Sequence, residues 1–181
     1  MSVLRLGDVD QLAVINLLAR FGLRLSFVEA GVTIPGSYWG ADEAGLIAGA
    51  LYARLDTPIH SILHEAAHWI TCSEQRRASL HTDAADNQEE ENASCYLQIL
   101  LAAHIPKFGL VRAWRDMDLW GYSFRLGSAR AWFEQDAAGE QQWLLERGIL
   151  MSNGLLSFTV RKEPGKSPRL NPNLACNGVF L

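Results

Sequence analysis

Two histidines and one glutamate stand at a spacing that can hold a metal ion. In the segment His64-Glu65-Ala66-Ala67-His68 the two histidines are four residues apart, about one helical turn. Side chains at that spacing lie on one helix face, so both imidazoles can bind the same metal. Glu65 lies about 100° round the helix, where it can take a proton from metal-bound water. The segment predicts a metal site with His64 and His68 as ligands and Glu65 as the general base.

A catalytic zinc site needs a third protein ligand and leaves one coordination position open for water. The downstream candidates are His81, Asp83, Asp86, Glu89, Glu90 and Glu91. On a helix through this acidic run, Glu90 shares its face with Leu97 and Leu101, which makes that face the most core-like one. We therefore predict Glu90 as the third ligand, with Glu89 and Glu91 as the alternatives. Carboxylates of the run that do not bind metal would complement the helix dipole.

A helix over residues 58–72 is needed to present the motif, and its start is well marked. Asp56 or Thr57 can supply the N-cap oxygen, and Pro58 suits the first helical position, where no backbone donor is needed. Apolar side chains surround the motif, so burying its polar residues is costly without a metal or other partners. A polar loop follows, and a second long helix is predicted over residues 87–104, capped by Asp86.

The remaining pattern places a small sheet before this helix pair and more helices after it. Residues 46–54 are mostly apolar, and we expect their second half to be a strand that leads directly into the motif helix. Helices are predicted over residues 107–119 and 127–147, the latter interrupted near Asp136, and a strand over residues 155–160. The predicted fold class is α+β: a small sheet packed on the metal-binding helix, with a mostly helical C-terminal half.

Length and composition describe one globular domain with a short tail. The chain has 181 residues, of which 49% are hydrophobic and 20% charged, so it can bury a sizeable core. We predict a single metal-binding domain over residues 1–160. An extended basic tail is predicted over residues 161–181, where prolines and basic residues concentrate. Composition does not specify an oligomeric state.

Charge and cysteine usage bear on partners and location. A net charge of -4 gives no general attraction to nucleic acid or to an anionic membrane. No apolar run approaches the roughly 20 residues that span a bilayer, and the N-terminus turns acidic too early for a signal peptide. The three cysteines, Cys72, Cys95 and Cys176, form neither a disulfide framework nor a C-x-x-C pair. This pattern predicts a cytoplasmic protein whose metal is held by nitrogen and oxygen.

The motif and the acidic helix together resemble the zincin-like metallopeptidases of the gluzincin type. Glu90-Glu91-Asn92-Ala93-Ser94 is similar to the E-x-x-A-[ND] and E-x-x-S-D patterns of that family, although Ser94 stands where Asp or Asn is usual. The resemblance implies a zincin-like fold, zinc, and an edge strand that pairs with an extended peptide or protein substrate. That strand would correspond to residues 49–54, and Tyr96 or Tyr122 would be candidates to stabilise the oxyanion.

A second resemblance is closer in local sequence. The segment from Ser61 to Trp69, with Arg76-Arg77 eight residues past His68, resembles the bacterial elongation factor P hydroxylase family over about residues 50–102. That family shares the S-x-L-H-E-x-x-H-W segment, the twin arginine at the same offset and a glutamate on a later helix. The resemblance implies a similar scaffold that holds non-haem iron and acts on a lysine of a protein partner. Two histidines and one carboxylate suit zinc hydrolysis and iron oxygenation alike.

Three functions follow from these patterns. The first, which we predict, is a zinc-dependent hydrolase of the metallopeptidase kind, with His64, His68 and Glu90 on the metal and Glu65 as base. The second is an iron oxygenase that acts on a protein lysine. The third is a non-enzymatic protein whose metal ties two helices together, although structural zinc sites are normally closed by four protein ligands. The expected cofactor is one divalent metal, zinc in preference to iron.

Overall fold

The computed structural model describes residues 2–82 and 85–162. In this part of the chain there are seven α-helices and three short strands, which confirms the predicted α+β class and the mostly helical C-terminal half. In chain order the elements are α1 (Gln11–Ala19), β1 (Arg24–Phe27), β2 (Gly45–Ile47), β3 (Ala50–Ala53), α2 (Ile59–Thr71), α3 (Glu74–Arg77), α4 (Gln88–Ala102), α5 (Gly109–Trp120), α6 (Ala129–Gln135) and α7 (Ala138–Glu146).

The three strands form one sheet in the order β1–β3–β2. β3 runs parallel to β1 and antiparallel to β2, so Leu51 pairs with Leu25 on one side and with Leu46 on the other. A strand was expected in the second half of residues 46–54, and β3 confirms it. The prediction that residues 49–54 form an edge strand is wrong, because both sides of β3 are already paired within the sheet.

The outer side of β2 is covered by a later segment of the chain. The Ala48 N–H donates to the Leu80 carbonyl at 2.8 Å, and the Thr82 N–H donates to the Leu46 carbonyl at 3.2 Å. Ile47 and His81 form an antiparallel bridge between the two segments. Residues 80–82 thus occupy the positions at which an extended peptide would add to β2.

Gly45 lets the loop before β2 fold back directly onto the sheet. A Cβ at this position would clash with the backbone of residues 35–37, so no other residue fits without moving the loop. The loop carries Tyr38, Trp39 and Glu43 to the wall of the cleft described below. A single glycine therefore determines where these three side chains lie.

The motif helix α2 is a core element that begins one residue later than predicted. No side chain caps it, and its N-cap position is Pro58. Asp56 and Thr57 do not serve as the cap because both bind Arg54: the Asp56 carboxylate accepts from the guanidinium and the Thr57 hydroxyl accepts from the backbone N–H. Its fully buried apolar side chains are Ile59, Ile62, Leu63, Ala66, Ala67 and Ile70.

The acidic helix α4 packs more extensively against α2 than any other element does. Its N-cap is Asn87 in place of the predicted Asp86, with the Asn87 amide oxygen accepting from the Glu90 N–H at 3.0 Å. Between the helices, the hydroxyls of Thr71 and Ser94 meet at 2.9 Å. This packing holds the acidic first turn of α4 beside the motif.

The C-terminal elements pack around α4. The break predicted near Asp136 is present, between α6 and α7. Residues 155–160 form no strand, contrary to the prediction. The one β-type pairing described for them is an isolated antiparallel bridge between Leu156 and Leu150. Side-chain hydrogen bonds compete with strand pairing in this segment. The Ser157 hydroxyl donates to the carbonyls of Gly148 and Ile149 at 2.7 and 3.0 Å.

The first residues of the predicted basic tail belong to the folded chain. The Arg161 N–H donates to the Ile70 carbonyl at 2.8 Å, and the Lys162 N–H donates to the Arg147 carbonyl at 3.1 Å. The remainder of that predicted tail, from residue 163 on, lies outside the described residues. Across the described ranges, no helix combines the length and the apolar character that crossing a membrane requires.

Candidate metal centre

The two motif histidines point their ring nitrogens at one place. His64 and His68 lie one turn apart on α2, and their Nε2 atoms are 3.0 Å from each other. The other ring nitrogen of His64, Nδ1, lies 2.7 Å from the amide oxygen of Gln98 on α4. A proton on Nδ1 that donates to Gln98 leaves Nε2 as a lone-pair donor, which is the tautomer that a metal ligand needs.

Glu91 on α4 completes the group of three donors. Its carboxylate oxygens lie 3.5 Å from His64 Nε2 and 3.4 Å from His68 Nε2. In the described part of the chain, His64, His68 and Glu91 are the set of side chains that could hold one metal ion. The structure thus brings together both predicted histidines with Glu91, which was an alternative to Glu90 in the sequence analysis.

Glu90, the favoured third ligand from sequence, faces away from the histidines into a buried ion cluster. Arg76 of α3 donates to its Oε1 at 2.9 Å, and Arg161 donates to its Oε2 at 3.0 Å. The side chain is essentially fully buried, with the whole residue 1% exposed. Because both oxygens are bound by arginines, Glu90 has no free position for a metal, and the choice of Glu90 gives way to Glu91.

The three donors fit a divalent metal such as zinc. Ligands that each lie about 2.0–2.1 Å from one tetrahedral zinc are roughly 3.3 Å apart. The two Nε2 atoms here are 3.0 Å apart, and the two Glu91 oxygens lie 3.5 Å from His64 Nε2 and 3.4 Å from His68 Nε2. Burial, helped by the nearby His64 and Arg76, holds the pKa of His68 well below its usual range. A neutral imidazole is the form that binds a metal. Two imidazoles with one carboxylate are a donor set that suits zinc and non-haem iron.

Glu65 lies in the same cleft, next to the donors but outside their group. Its Oε2 is buried and has no hydrogen-bond partner in the described chain. Burial raises the pKa of Glu65 to about 8, and the neighbouring carboxylates of Glu91 and Glu43 act in the same direction. A carboxylate that holds its proton this firmly can both take up and release a proton near neutral pH.

Gln98 is a site residue that the sequence analysis did not single out. It is 1% exposed on α4, and its carbonyl oxygen orients the His64 ring. Ser94, which stands at the position where the gluzincin pattern has Asp or Asn, bonds to Thr71 and not to a histidine. A signal for Gln98 was present, because it stands among the mostly apolar residues of the second half of α4 and lies two turns after Glu91, on the same face.

The donors open into a cleft of about 320 Å³. Apart from the donors and Glu65, its lining residues are Tyr38, Trp39, Glu43, Ser61, Thr82, Ala85, Trp120 and Tyr122. α5 ends at Gly121, whose φ of 100° turns the chain so that Trp120 and Tyr122 both reach this wall. Burial raises the pKa of Tyr122 well above its usual range, so its hydroxyl stays protonated and can donate. The other tyrosine candidate, Tyr96, stacks on Phe133 in the core.

Several candidate side chains lie elsewhere. His60, on the same stripe of α2, packs its ring 5.0 Å from that of Trp120, and its two nitrogens have no partner in the described residues. Burial lowers the pKa of His60 to about 3, so the ring is neutral. His81 contacts Thr82, and Glu89 lines a separate groove. Asp83 lies outside the described residues.

The twin arginines act within the fold. Arg76 binds Glu90, and Arg77 donates to the carbonyls of Trp69 and Cys72 at the end of α2, at 3.2 and 2.6 Å. Both residues thereby tie α3 to the two helices of the metal centre.

Known proteins give no independent assignment of this site. No family sequence model, no curated protein and no solved structure matches the chain.

Proposed function

We propose that the protein is a zinc-dependent hydrolase that cleaves peptide bonds, with His64, His68 and Glu91 as the metal ligands and Glu65 as the general base. The observation that supports this proposal most directly is the convergence of two imidazoles and one carboxylate, whose ligand atoms all lie within 4.8 Å of one another, in an open cleft. A catalytic site of this class has three protein ligands and an open position. The proposal is supported by three donors on α2 and α4 and by the open cleft beside them.

Two residues of the cleft besides the ligands have a chemical role in such a reaction. A bound zinc would supply Lewis acidity toward a substrate carbonyl and lower the pKa of water. Glu65 would accept the proton of the attacking water and deliver it to the leaving amine. Tyr122, whose hydroxyl is protonated, would donate a hydrogen bond to the oxygen that becomes negatively charged.

A purely structural metal is the less favoured function. Structural zinc is normally enclosed by four protein ligands, and three donor residues are found in the described chain. The carboxylate of Glu65, with one buried oxygen unpaired, is a costly feature to keep beside a metal that has no chemistry to perform.

The same donor set supports an iron oxygenase as the second candidate. The specific observation in its favour is the arrangement of two histidines and one carboxylate on one side of the site, with the other side facing the cleft. That function would place a lysine of a protein partner in the cleft. Iron in the purified protein and an oxygen-dependent gain of one oxygen atom on that lysine would be the results expected for this function.

The test of the hydrolase is metal analysis combined with one substitution. Protein purified without added metal is expected to contain zinc at close to one equivalent per chain. It should cleave members of a mixed peptide library, as read by mass spectrometry. Glu65→Gln should keep its zinc and lose at least about 100-fold in cleavage rate, because the base contributes roughly that factor or more.

A matched control is Glu134→Gln, an exposed acid on α6 that pairs with Arg130 and does not line the cleft. It should cleave like the wild type. Iron in place of zinc, or full cleavage by Glu65→Gln, would contradict the hydrolase proposal.

A further inference from the structure

Glu43 is an acid at the cleft wall that has no cationic partner. The Trp39 backbone N–H and the Trp120 indole N–H lie close enough to its carboxylate to lower its pKa. No arginine or lysine of the described residues forms an ion pair with it. The preceding residue behaves differently, since Asp42 pairs with Arg5 at 2.6 Å. Burial raises the pKa of Glu43, with the two donors offsetting part of that effect, so a cation placed against it would offset the remaining cost.

Aromatic side chains surround this carboxylate. Trp39 is 74% exposed and Tyr38 is 65% exposed, although large aromatic rings are usually at least partly buried. The two rings contact each other edge to face at 4.9 Å, and the half-buried Trp120 lies on the same wall. Exposed aromatic faces grouped at the mouth of a cleft are typical of a binding surface.

The charge of the cleft is one-sided. Its described lining includes the carboxylates of Glu43, Glu65 and Glu91 and no arginine or lysine. A divalent metal bound by Glu91 would use that charge, and Glu65 takes part in proton transfer. Glu43 is therefore the acid left over, and it lines the same cleft as His64, so it lies near the reacting centre.

We propose that Glu43, Trp39 and Trp120 form a subsite for the arginine side chain of a peptide substrate, next to the bond that is cleaved. A planar guanidinium can bind a carboxylate through two N–H groups and stack on an indole face, which an ammonium cannot do equally well. The inference rests on the proposed hydrolase function for its placement beside the scissile bond, but the binding of the cation can be measured without cleavage.

The test uses two blocked hexapeptides of alanine that carry either one arginine or one citrulline, its neutral isostere. Binding is measured by calorimetry with the full-length, zinc-loaded Glu65→Gln protein, in which turnover is suppressed. We expect the arginine peptide to bind about tenfold more tightly, which is the scale of a partly exposed charge-assisted contact. Adding Glu43→Gln should bring the two affinities together, whereas adding the surface control Glu134→Gln should leave the ratio unchanged.

A second variant keeps the inference testable if Glu43→Gln does not fold. Trp39→Ala removes an exposed ring and should reduce the arginine preference about threefold, as expected for loss of a cation–π contact. Equal affinities for the two peptides in the Glu65→Gln protein overturn the inference, and so does a preference that persists in Glu43→Gln.

The two proposals fail in different ways. If the arginine preference depends on Glu43 while the zinc-loaded wild type cleaves no peptide, the subsite is supported and the hydrolase is rejected. If peptides are cleaved with no preference for arginine over citrulline, the hydrolase is supported and the arginine subsite is rejected.

Discussion

Glu90 and Glu91 are adjacent in the chain, but their carboxylates have different partners. One is enclosed by two arginines, and the other faces two imidazoles. A step of about 100° round the helix separates them, which is enough to turn one side chain toward α3 and the C-terminal segment and the next toward α2. The identity of the metal ligand therefore depends on what surrounds the helix and not on the residue type.

Substitutions at the two positions should separate metal binding from stability. Glu91→Gln is expected to weaken zinc binding by more than about 100-fold, since loss of even an orienting partner of a ligand costs up to that factor. Glu90→Gln should keep zinc affinity within a few-fold of wild type and lower the free energy of unfolding by about 2–3 kcal/mol. This estimate is below the usual cost of breaking a buried pair because the two arginines are partly exposed. Competition with a fluorescent chelator and urea denaturation measure the two quantities.

The reverse pattern, with zinc lost from Glu90→Gln and retained by Glu91→Gln, would restore the sequence-based choice of Glu90.

The residues of the site were predictable to the extent that their spacing within one helix decides the geometry. His64, His68 and Glu65 are brought together by the turn of α2, so the pentapeptide was sufficient to find them. The third donor comes from another helix, and its choice depends on Arg76 and Arg161, which are distant from Glu90 in sequence. No periodicity within α4 contains that information.

At the scale of elements, α4 is the helix in which the periodicity of apolar residues fails to identify the candidate metal ligand. It is buried on most of its circumference because α2, α5 and α7 all contact it. Its buried residues include Ala93, Ser94, Cys95, Tyr96, Leu97, Gln98, Ile99, Leu101 and Ala102. A helix packed on several sides has no single inward stripe, so the argument that assigned Glu90 to the core was right about burial and uninformative about the metal.

The bond from His64 to Gln98 is the polar link between α2 and α4 at the metal centre. Replacing Gln98 with Leu removes the acceptor for the His64 Nδ1–H, and we expect zinc affinity to fall about tenfold. Gln98→Glu keeps an acceptor at the same position and should bind zinc at least as well as the wild type. Isothermal titration with zinc distinguishes the two variants. Unchanged affinity in Gln98→Leu would show that the ring of His64 is oriented by packing alone.

The long helices from α2 onward and strand β3 were predictable, whereas caps and strand partners were not. α2, α4, α5 and the α6–α7 break follow from local apolar patterns and breakers. Which of Asp86 and Asn87 caps α4 is decided by the loop that precedes it, and the central position of β3 is decided by β1, which lies more than twenty residues earlier in the chain. The pattern of neighbouring residues carries no information about such non-local pairings.

At the scale of the whole molecule, the C-terminal segment reaches back to the two helices that carry the candidate metal ligands. Arg161 donates through its backbone to Ile70 at the end of α2 and through its guanidinium to Thr71 and Glu90. The segment thus joins the C-terminal end of α2 to the N-terminal turn of α4. Arg161, which follows all the helices and strands of the described chain, therefore completes the ion cluster of Glu90 beside the site.

Removing this link should lower stability without removing the metal. Arg161→Met leaves one oxygen of the buried Glu90 without a partner and should lower the free energy of unfolding by about 2 kcal/mol. The control is Arg125→Met, which breaks an ion pair whose arginine side chain is 72% exposed and should cost less than about 1 kcal/mol. Urea denaturation of both variants gives the comparison, and equal midpoints would contradict the structural role of Arg161.

The strip of chain that covers β2 has a consequence for substrate choice. With residues 80–82 bonded along that strand, a peptide cannot add to this side of β2 by backbone pairing. Under the proposed peptidase function, recognition would then depend on the side chain that enters the cleft, and the peptide's main chain would be largely unconstrained at this edge. A substrate that is N-methylated beside its recognised residue, or held in a turn, should be accepted about as readily as an extended one.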